Sequence, residues 1–440
     1  MSLLKKGLSD SKYYLIANLG NKALAFLIIP ILARSVGVKE FANYDLFLVI
    51  STFLNILIVL GTDSGIVILL AESREDNNKL SFLYVMTLII SLSILLFISL
   101  IGSIIFLYKD ELFLLKKEIW VYIALYVGFN VINYHTFNFL RWREKAKEAS
   151  FITLFAYVCG MLIGVLFLYF NNRVEAYLNG LVIGVGIGAT LALLIAREYI
   201  ANFKIIKESK ATLKELFILS IPFIPNYLGN SLMQMADRFV ILALFTKYEL
   251  GIYAVITKLA MIPQIIIGTL IGGFLPVMYN NYKNRDGQKL IKRFFHTYII
   301  FIPLAFVIAY LLKDFAVDIF AGSKYINYSY LLPIALISIL FVRSSQANGF
   351  GYSIKRKTHY IMYITFFTVL INYILSYIFG YYIGLEGVLL GTLFAGIVKT
   401  YLYTFYSEKL YSFNYSFKLI AISSFVTFIL VVFTSKGVLV

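Results

Sequence analysis

The sequence has a single cysteine, few charges and no nucleotide-binding motif. Charged residues fill 14% of the 440 positions, against roughly a quarter in soluble domains. Cys159 is the only cysteine, which excludes an internal disulfide and a thiolate metal cluster. No GxxxxGK[ST] stretch occurs, which argues against ATP hydrolysis within the chain. The three histidines are not spaced as metal ligands, so the sequence indicates neither a metal site nor a cofactor.

Apolar residues are what the chain has in excess. They fill 60% of the positions, and the mean hydropathy is +0.84. They form runs of about 20 residues, and a helix of that length crosses a hydrocarbon core of about 30 Å. A strand of a membrane β-barrel needs only about ten residues. The sequence therefore predicts an all-α integral membrane protein.

Thirteen apolar stretches qualify as membrane helices. They cover residues 13–34, 41–61, 81–107, 119–140, 149–170, 177–198, 214–246, 250–277, 293–312, 330–350, 359–380, 385–407 and 416–435. With a cytoplasmic N-terminus, the inner segments hold more than twice as many Lys and Arg as the outer segments. This asymmetry is the usual orientation signal, so we expect the N-terminus in the cytoplasm. The net charge of +16 then reflects membrane topology and indicates no nucleic acid partner.

Two parts of the sequence recur at nearly the same spacing. LGNKALAFLIIPILARSVGVKEFANY (19–44) aligns with LGNSLMQMADRFVILALFTKYELGIY (228–253), and LNGLVIG (178–184) aligns with LEGVLLG (385–391). Six helices separate the copies, and an even number preserves direction, so we expect two parallel six-helix lobes. The last motif also carries glycines four residues apart in both copies, a spacing that lets helix backbones approach closely in lipid.

The repeat predicts the domain organisation. The chain divides into an N-terminal lobe, a cytoplasmic linker, a C-terminal lobe and an additional C-terminal transmembrane helix, at residues 1–198, 199–213, 214–410 and 411–440. The thirteenth helix lies outside the duplication.

Five basic residues fall inside the predicted spans, where a charge costs roughly 2.5–3.5 kcal/mol. They are Lys22, Arg238, Lys258, Arg343 and Lys399. Among the acidic residues, Asp237 lies comparably deep, but adjacent helical positions point about 100° apart, so Asp237 and Arg238 should not pair. The excess of cations predicts a central cavity that binds an anion. In the plain alternative, backbone carbonyls, water or polar side chains at helix contacts satisfy each cation.

Other residues on these helices suggest further roles. Guanidinium binds phosphate through two parallel hydrogen bonds, which makes Arg238 the strongest candidate for a phosphate ligand. Pro222 and Pro225 each remove a backbone donor, so we expect a bend that serves as a hinge. Asp237 and Asp63 are the candidates for binding a coupling proton or sodium ion.

Three stretches resemble a known family. They are LGNKALAFLIIPILARSVGVKEFANYDLFLVISTFLNILIVLGTDSG, FLRWREKAKEASF and IPFIPNYLGNSLMQMADRFVILALFTKYELGIYAVITKLAMIP. They are similar to the Wzx-type O-antigen and polysaccharide flippases of the multidrug/oligosaccharidyl-lipid/polysaccharide (MOP) exporter superfamily. Pro222, Pro225, Asp237 and Arg238 match the family pattern, whereas the thirteenth helix departs from its twelve-helix form.

The resemblance implies a MATE-like pair of lobes and transport without catalysis. Flippases of this kind move undecaprenyl-pyrophosphate-linked oligosaccharide units across the bacterial inner membrane, from the cytoplasmic to the periplasmic face. The partners expected are this lipid-linked oligosaccharide, membrane lipids, H⁺ or Na⁺, and polysaccharide polymerase and chain-length proteins.

Two other functions are alternatives. A multidrug or cation antiporter of the same superfamily would need a dominantly acidic cavity, and the buried charges are mostly basic. A polysaccharide polymerase would need a sizeable outer loop with Arg, His or paired carboxylates. All predicted outer loops are short, so this third function is disfavoured.

Overall fold

The computed structural model describes residues 20–73, 76–112, 115–143, 145–355, 357 and 359–434. Their regular structure is helical except for one short antiparallel hairpin, in which Glu111–Leu112 (β1) pairs with Leu115–Lys116 (β2). The predicted all-α class is confirmed.

The chain divides into two compact units, Met1–Ser231 and Leu232–Val440. The first unit holds nine described helices: residues 20–35 (α1), Val38–Val59 (α2), Thr62–Glu72 (α3), Asn77–Tyr108 (α4), Lys117–Trp142 (α5), Ala146–Phe170 (α6), Val174–Ile195 (α7), Arg197–Ala201 (α8) and Ser209–Ser220 (α9). The unit boundary lies within α10, Ile224–Leu244. The domain boundaries predicted from the repeat remain a prediction.

The second unit continues with α10 and nine further described helices. These are Lys247–Ala260 (α11), Ile262–Asn281 (α12), Arg285–Ala321 (α13), Leu331–Arg343 (α14), Ser345–Asn348 (α15), Phe350–Ile354 (α16), His359–Ile383 (α17), Leu385–Leu410 (α18) and Phe417–Thr434 (α19).

Eleven helical segments of the described residues are long and apolar enough to cross a membrane, and each overlaps one of the thirteen predicted spans. The other two predicted spans are accounted for separately. Part of 13–34 lies outside the described residues, and its described part belongs to α1. The span 119–140 is α5, which is long enough but carries Asn130, Asn133 and His135 among its apolar residues.

The predicted helix 214–246 is interrupted where its prolines lie. α9 ends at Ser220, the 3₁₀ turn Ile221–Phe223 contains Pro222, and Pro225 is the second residue of α10. Proline removes a backbone donor, which explains why a regular α-helix does not run through this segment. The role of Pro222 and Pro225 as a hinge remains a prediction.

Glycines allow the closest helix contacts in both units. A Cβ atom added at Gly184 of α7 would lie 2.1 Å from the backbone nitrogen of Gly160 in α6. One added at Gly391 of α18 would lie 2.3 Å from the backbone nitrogen of Ser376 in α17. The repeated glycine motif therefore serves helix packing, as its spacing predicts.

We expect Gly184→Ala to destabilise the first unit. Its methyl group would also lie 2.8 Å from the Ala156 carbonyl oxygen, so α6 and α7 would have to separate. Overpacking of this kind costs about 1–3 kcal/mol. Gly186→Ala on the same helix is the control, because its Cβ would meet only the Phe129 ring, at 3.3 Å. Thermal unfolding in detergent should separate the two variants, and equal losses would contradict the packing explanation.

The thirteenth predicted helix is α19, and it is anchored to α13 of the second unit. Ser423 Oγ donates a hydrogen bond to the Ile299 carbonyl oxygen at 2.8 Å, and the Ser416 amide donates to His296 Nε2 at 3.0 Å. The Glu408 carboxylate accepts the amide of Phe413 at 2.8 Å in the connection before α19. These bonds fix the position of the additional helix.

Candidate functional site

Two of the predicted cations lie together in the second unit. Arg343 is the last residue of α14 and Lys399 lies on α18. The residues that follow them, Ser344 and Thr400, are hydrogen-bonded through their side chains at 2.7 Å. The Thr400 hydroxyl also donates to the Phe341 carbonyl oxygen at 3.1 Å. These bonds hold α14 and α18 together next to the two cations. The Arg343 guanidinium and the Lys399 ammonium are therefore close enough to repel each other electrostatically.

The surroundings of this Arg343–Lys399 pair are aromatic, and its described neighbours supply no ion-paired acid. Lys399 is 4% exposed, and its ammonium lies 5.6 Å from the ring centroid of Tyr403. Arg343 is half-buried and interacts with Tyr298, whose hydroxyl donates to the Leu340 carbonyl oxygen at 2.6 Å. In the part of the chain that the structure describes, no carboxylate forms an ion pair with either cation. A pair of like charges on membrane helices is unfavourable until an anion or water approaches it.

The other three predicted cations have different environments. Arg238 on α10 is half-buried, and its guanidinium lies 5.3 Å from the ring centroid of Tyr253. Lys258 on α11 is half-buried, and both residues make further contacts. Lys22 lies on α1 in the first unit and is exposed. The structure thus brings Arg343 and Lys399 together, while a shared role for Arg238, Lys258 and Lys22 remains a prediction.

Asp237 is at the centre of a buried network in the second unit. It is 5% exposed, and its carboxylate accepts hydrogen bonds from the Tyr253 hydroxyl, from Asn372 Nδ2 at 3.1 Å and from Thr392 Oγ1 at 2.8 Å. Ser376 Oγ donates to Asn372 Oδ1 at 2.9 Å. The network therefore joins α10, α11, α17 and α18.

Tyr253 links the two members of the Asp237-Arg238 step. Its hydroxyl donates to Asp237, and Arg238 lies over its ring. Asp237 and Arg238 thus serve different surroundings, as their helical positions predict. Sequence reasoning missed Asn372 and Thr392, because single polar residues are common in apolar helices. Tyr253 carried a signal, since the repeat aligns it with Tyr44.

Asp63, the second coupling candidate, lies in the first unit at the start of α3. Its Oδ2 accepts a hydrogen bond from the Tyr134 hydroxyl at 2.8 Å and a longer one from the Tyr227 hydroxyl at 3.5 Å. It lines a cavity of about 220 Å³. The two coupling candidates therefore differ, because the Asp237 carboxylate accepts three hydrogen bonds within a buried network, whereas Asp63 lines a small cavity.

Comparisons with known proteins identify a family and relatives for this chain. A family model described as "Polysaccharide biosynthesis protein" matches residues 8–282. Lsg locus putative protein 1 of Haemophilus influenzae is 24% identical over 345 residues, which cover 76% of this chain and 81% of that protein. Capsular polysaccharide biosynthesis protein CapF of Staphylococcus aureus is 22% identical over 345 residues, which cover 77% of this chain and 83% of that protein.

Solved structures show the same fold. An inward-facing multidrug resistance MATE family transporter of the MOP superfamily matches with a TM-score of 0.67 and 17% identity, over 90% of this chain and 94% of that chain. Lipid II flippase MurJ in an inward closed conformation matches with a TM-score of 0.67 and 18% identity, over 95% of this chain and 91% of that chain.

These similarities confirm the fold and the resemblance predicted from the sequence. The two solved structures are described as a transporter and a flippase. The chain is a multi-pass membrane protein with the MOP fold, and it belongs to the polysaccharide biosynthesis protein family.

Proposed function

We propose that the chain is a flippase for undecaprenyl-pyrophosphate-linked oligosaccharide repeat units in the bacterial inner membrane. The family supports a role in polysaccharide biosynthesis, and the fold supports transport by alternating access. The observation that carries the proposal is the Arg343–Lys399 pair, in which two cations on membrane helices have no carboxylate ion-pair partner among the described residues.

The chemistry of this pair favours a diphosphate ligand. Coulombic repulsion between two cations increases as the surroundings become less polar, so an anion that lies between them relieves a large cost. Guanidinium offers paired donors to phosphate oxygens, and the ammonium adds a compact charge. A pyrophosphate group carries two adjacent phosphates and can engage both cations. Arg238 and Lys258 of the same unit, and Lys22 of the first, are further proposed contacts for the substrate.

Transport also needs a reason for the protein to change state. A ligand shifts a conformational equilibrium only through its different affinities for the two states. We propose that Asp237 supplies this difference by binding a proton or a sodium ion. Neutralising its charge would weaken the bonds from Tyr253, Asn372 and Thr392, and these bonds join four helices of the second unit.

The polyprenyl tail of the substrate would stay in lipid while its pyrophosphate and sugars move. The N-terminus is proposed to be cytoplasmic, and Pro222 and Pro225 are proposed to absorb the backbone changes. In this scheme the substrate is loaded at the cytoplasmic face and released at the periplasmic face.

The electrostatics argue against export of cationic drugs. A cationic drug would be repelled by the Arg343–Lys399 pair, whereas a pyrophosphate is attracted to it. An exporter of cationic dyes would lower dye accumulation in cells that express this chain, and we expect no such change.

Reconstitution tests the proposal directly. Lipid-linked oligosaccharide is incorporated into liposomes with or without the purified chain, and an impermeant lectin reports the sugar on the outer leaflet. We expect protein-free liposomes to expose only the outer-leaflet pool, and liposomes with the chain to expose both pools with time. Equal exposure in the two preparations, under an imposed Na⁺ or H⁺ gradient of either direction, would contradict the proposal.

A further inference from the structure

The first unit contains a break in a membrane helix that opens onto a small cavity. α2 ends at Val59, and α3 begins at Thr62. Leu60 and Gly61 both have left-handed backbone conformations, with φ of 50° and 67°. Such a conformation costs a non-glycine residue roughly 1–2 kcal/mol, so packing must hold Leu60 in place. A Cβ at Gly61 would lie 2.7 Å from the Ser220 carbonyl oxygen, which ties the break to the end of α9.

The cavity has a volume of about 220 Å³, and five of its lining residues carry side-chain oxygen atoms: Thr52, Asn55, Asp63, Tyr134 and Tyr227. Thr52, Asn55 and Val59 contribute from the last turns of α2, and Asp63 contributes from the first turn of α3. The last carbonyls of a helix have no partner within that helix, and the helix dipole places partial negative charge there. The C-terminal end of α2 adds negative potential and the N-terminal end of α3 adds positive potential, so the negative charge at the cavity comes from the Asp63 carboxylate.

Two oxygen atoms at this cavity are left without a donor. Asp63 Oδ1 and Asn55 Oδ1 are shielded from solvent, and neither has a hydrogen-bond partner among the described residues. The same carboxylate receives its two hydrogen bonds from neutral phenols, Tyr134 and Tyr227. Within the described ranges, Asp63 forms no ion pair with Lys, Arg or His. Shielded acceptors without donors cost about 1–3 kcal/mol each, and more when charged.

We infer that this cavity is a sodium-binding site, with Asp63 Oδ1 and Asn55 Oδ1 as ligands. Hard cations prefer oxygen ligands, and these two oxygen atoms have no hydrogen-bond partner in the described part of the chain. Asp63 is the sole carboxylate among the described residues that line the cavity, so the charge matches a monovalent ion better than Ca²⁺ or Mg²⁺. Transporters bind Na⁺ at discontinuous helices, where half-helix C-terminal ends and unwound carbonyls supply ligands. The volume exceeds the roughly 30 Å³ that one water occupies, so the ion can retain part of its hydration.

Sodium at this site would also order the proposed hinge. The Tyr227 hydroxyl is hydrogen-bonded to Ser64 Oγ at 2.7 Å and to the Asp63 carboxylate. Tyr227 comes directly after the segment that contains Pro222 and Pro225. An ion held by Asp63 therefore fixes the start of α10 to the break between α2 and α3. This inference goes beyond the proposed function, because sodium binding here depends neither on the transported lipid nor on Asp237.

Equilibrium binding of radioactive sodium to the purified full chain tests the site. All variants carry Asp237→Asn, so that the second-unit carboxylate makes no contribution. We expect saturable sodium binding in Asp237→Asn alone, and its loss when Asp63→Asn is added. Asn55→Ala, which keeps the Asp63 charge, should weaken binding by about tenfold or more, in the range known for disturbed metal sites. The control is Asp286→Asn, because the Asp286 side chain is 96% exposed.

Stability measurements guard against variants that do not fold. Sodium chloride should raise the thermal stability of the Asp237→Asn protein above that in choline chloride at equal ionic strength. This difference should vanish with Asp63→Asn or Asn55→Ala and persist with Asp286→Asn. Unchanged sodium binding in both cavity variants would overturn the inference and leave the proposed function intact. Sodium binding that depends on Asp63, in a protein that moves no lipid-linked oligosaccharide, would support the site and contradict the proposed function.

Discussion

We expect Arg343→Gln combined with Lys399→Met to abolish lipid-linked oligosaccharide transport without destabilising the protein. Hydrogen bonds to charged groups contribute about 1.5–3 kcal/mol each, which corresponds to about ten- to a hundredfold in affinity per residue. Stability should be equal or higher, because the variant removes two like charges from membrane helices and keeps most of the side-chain volume. Loss of function with retained stability distinguishes a binding role from a structural one.

The lectin assay in liposomes and thermal unfolding in detergent measure both quantities. Lys289→Met serves as the control, since the Lys289 side chain is 56% exposed and its ion pair with Asp286 lies on the surface. Lys399→Arg keeps the charge and should retain part of the activity. Transport at the wild-type rate by the double variant would remove the pair from the mechanism.

The spans were predictable because the bilayer imposes a length that apolar runs must match. The positions of the helix ends were less predictable. α13 runs from Arg285 to Ala321, well beyond the predicted 293–312, because its first turns carry charges and extend out of the apolar stretch. The predicted span 41–61 ends close to the end of α2 at Val59, but α3, which begins directly at Thr62, was not predicted. The left-handed conformation of Leu60 could not be predicted either, because no leucine favours it by itself. Only its packing holds it there.

The buried cations could be found in the sequence because a charge stands out in an apolar run. Their grouping could not, because it depends on a contact between α14 and α18 through Ser344 and Thr400, which lie far apart in the chain. The sequence ranked Arg238 first on the chemistry of guanidinium. The structure finds the more deeply buried cation in Lys399, whose surroundings depend on tertiary packing.

Asp237→Asn is the second change for which we expect a large effect, on both stability and transport. The carboxylate accepts three hydrogen bonds, from Tyr253, Asn372 and Thr392. An asparagine at this position loses the charge and turns one NH₂ group toward neighbouring donors. With about 1.5–3 kcal/mol for each charge-assisted bond and partial compensation by the remaining amide oxygen, we expect a loss of about 2–5 kcal/mol in the free energy of unfolding.

Graded variants separate this network from its proposed coupling role. Thr392→Val removes one hydrogen-bond donor and nearly keeps the shape of the side chain, so we expect a smaller loss of stability. Transport by this variant should still respond to an imposed Na⁺ or H⁺ gradient. Asp237→Asn holds the site permanently neutral, so any remaining transport should no longer respond to either gradient. If transport by Asp237→Asn still responds to a gradient, Asp237 is excluded from coupling. If that variant unfolds at the same temperature as the wild type, the network is not important for stability. Because the neutral side chain mimics the occupied or protonated site, loss of the response together with residual transport would identify the Asp237 charge, and not its packing, as the coupled quantity.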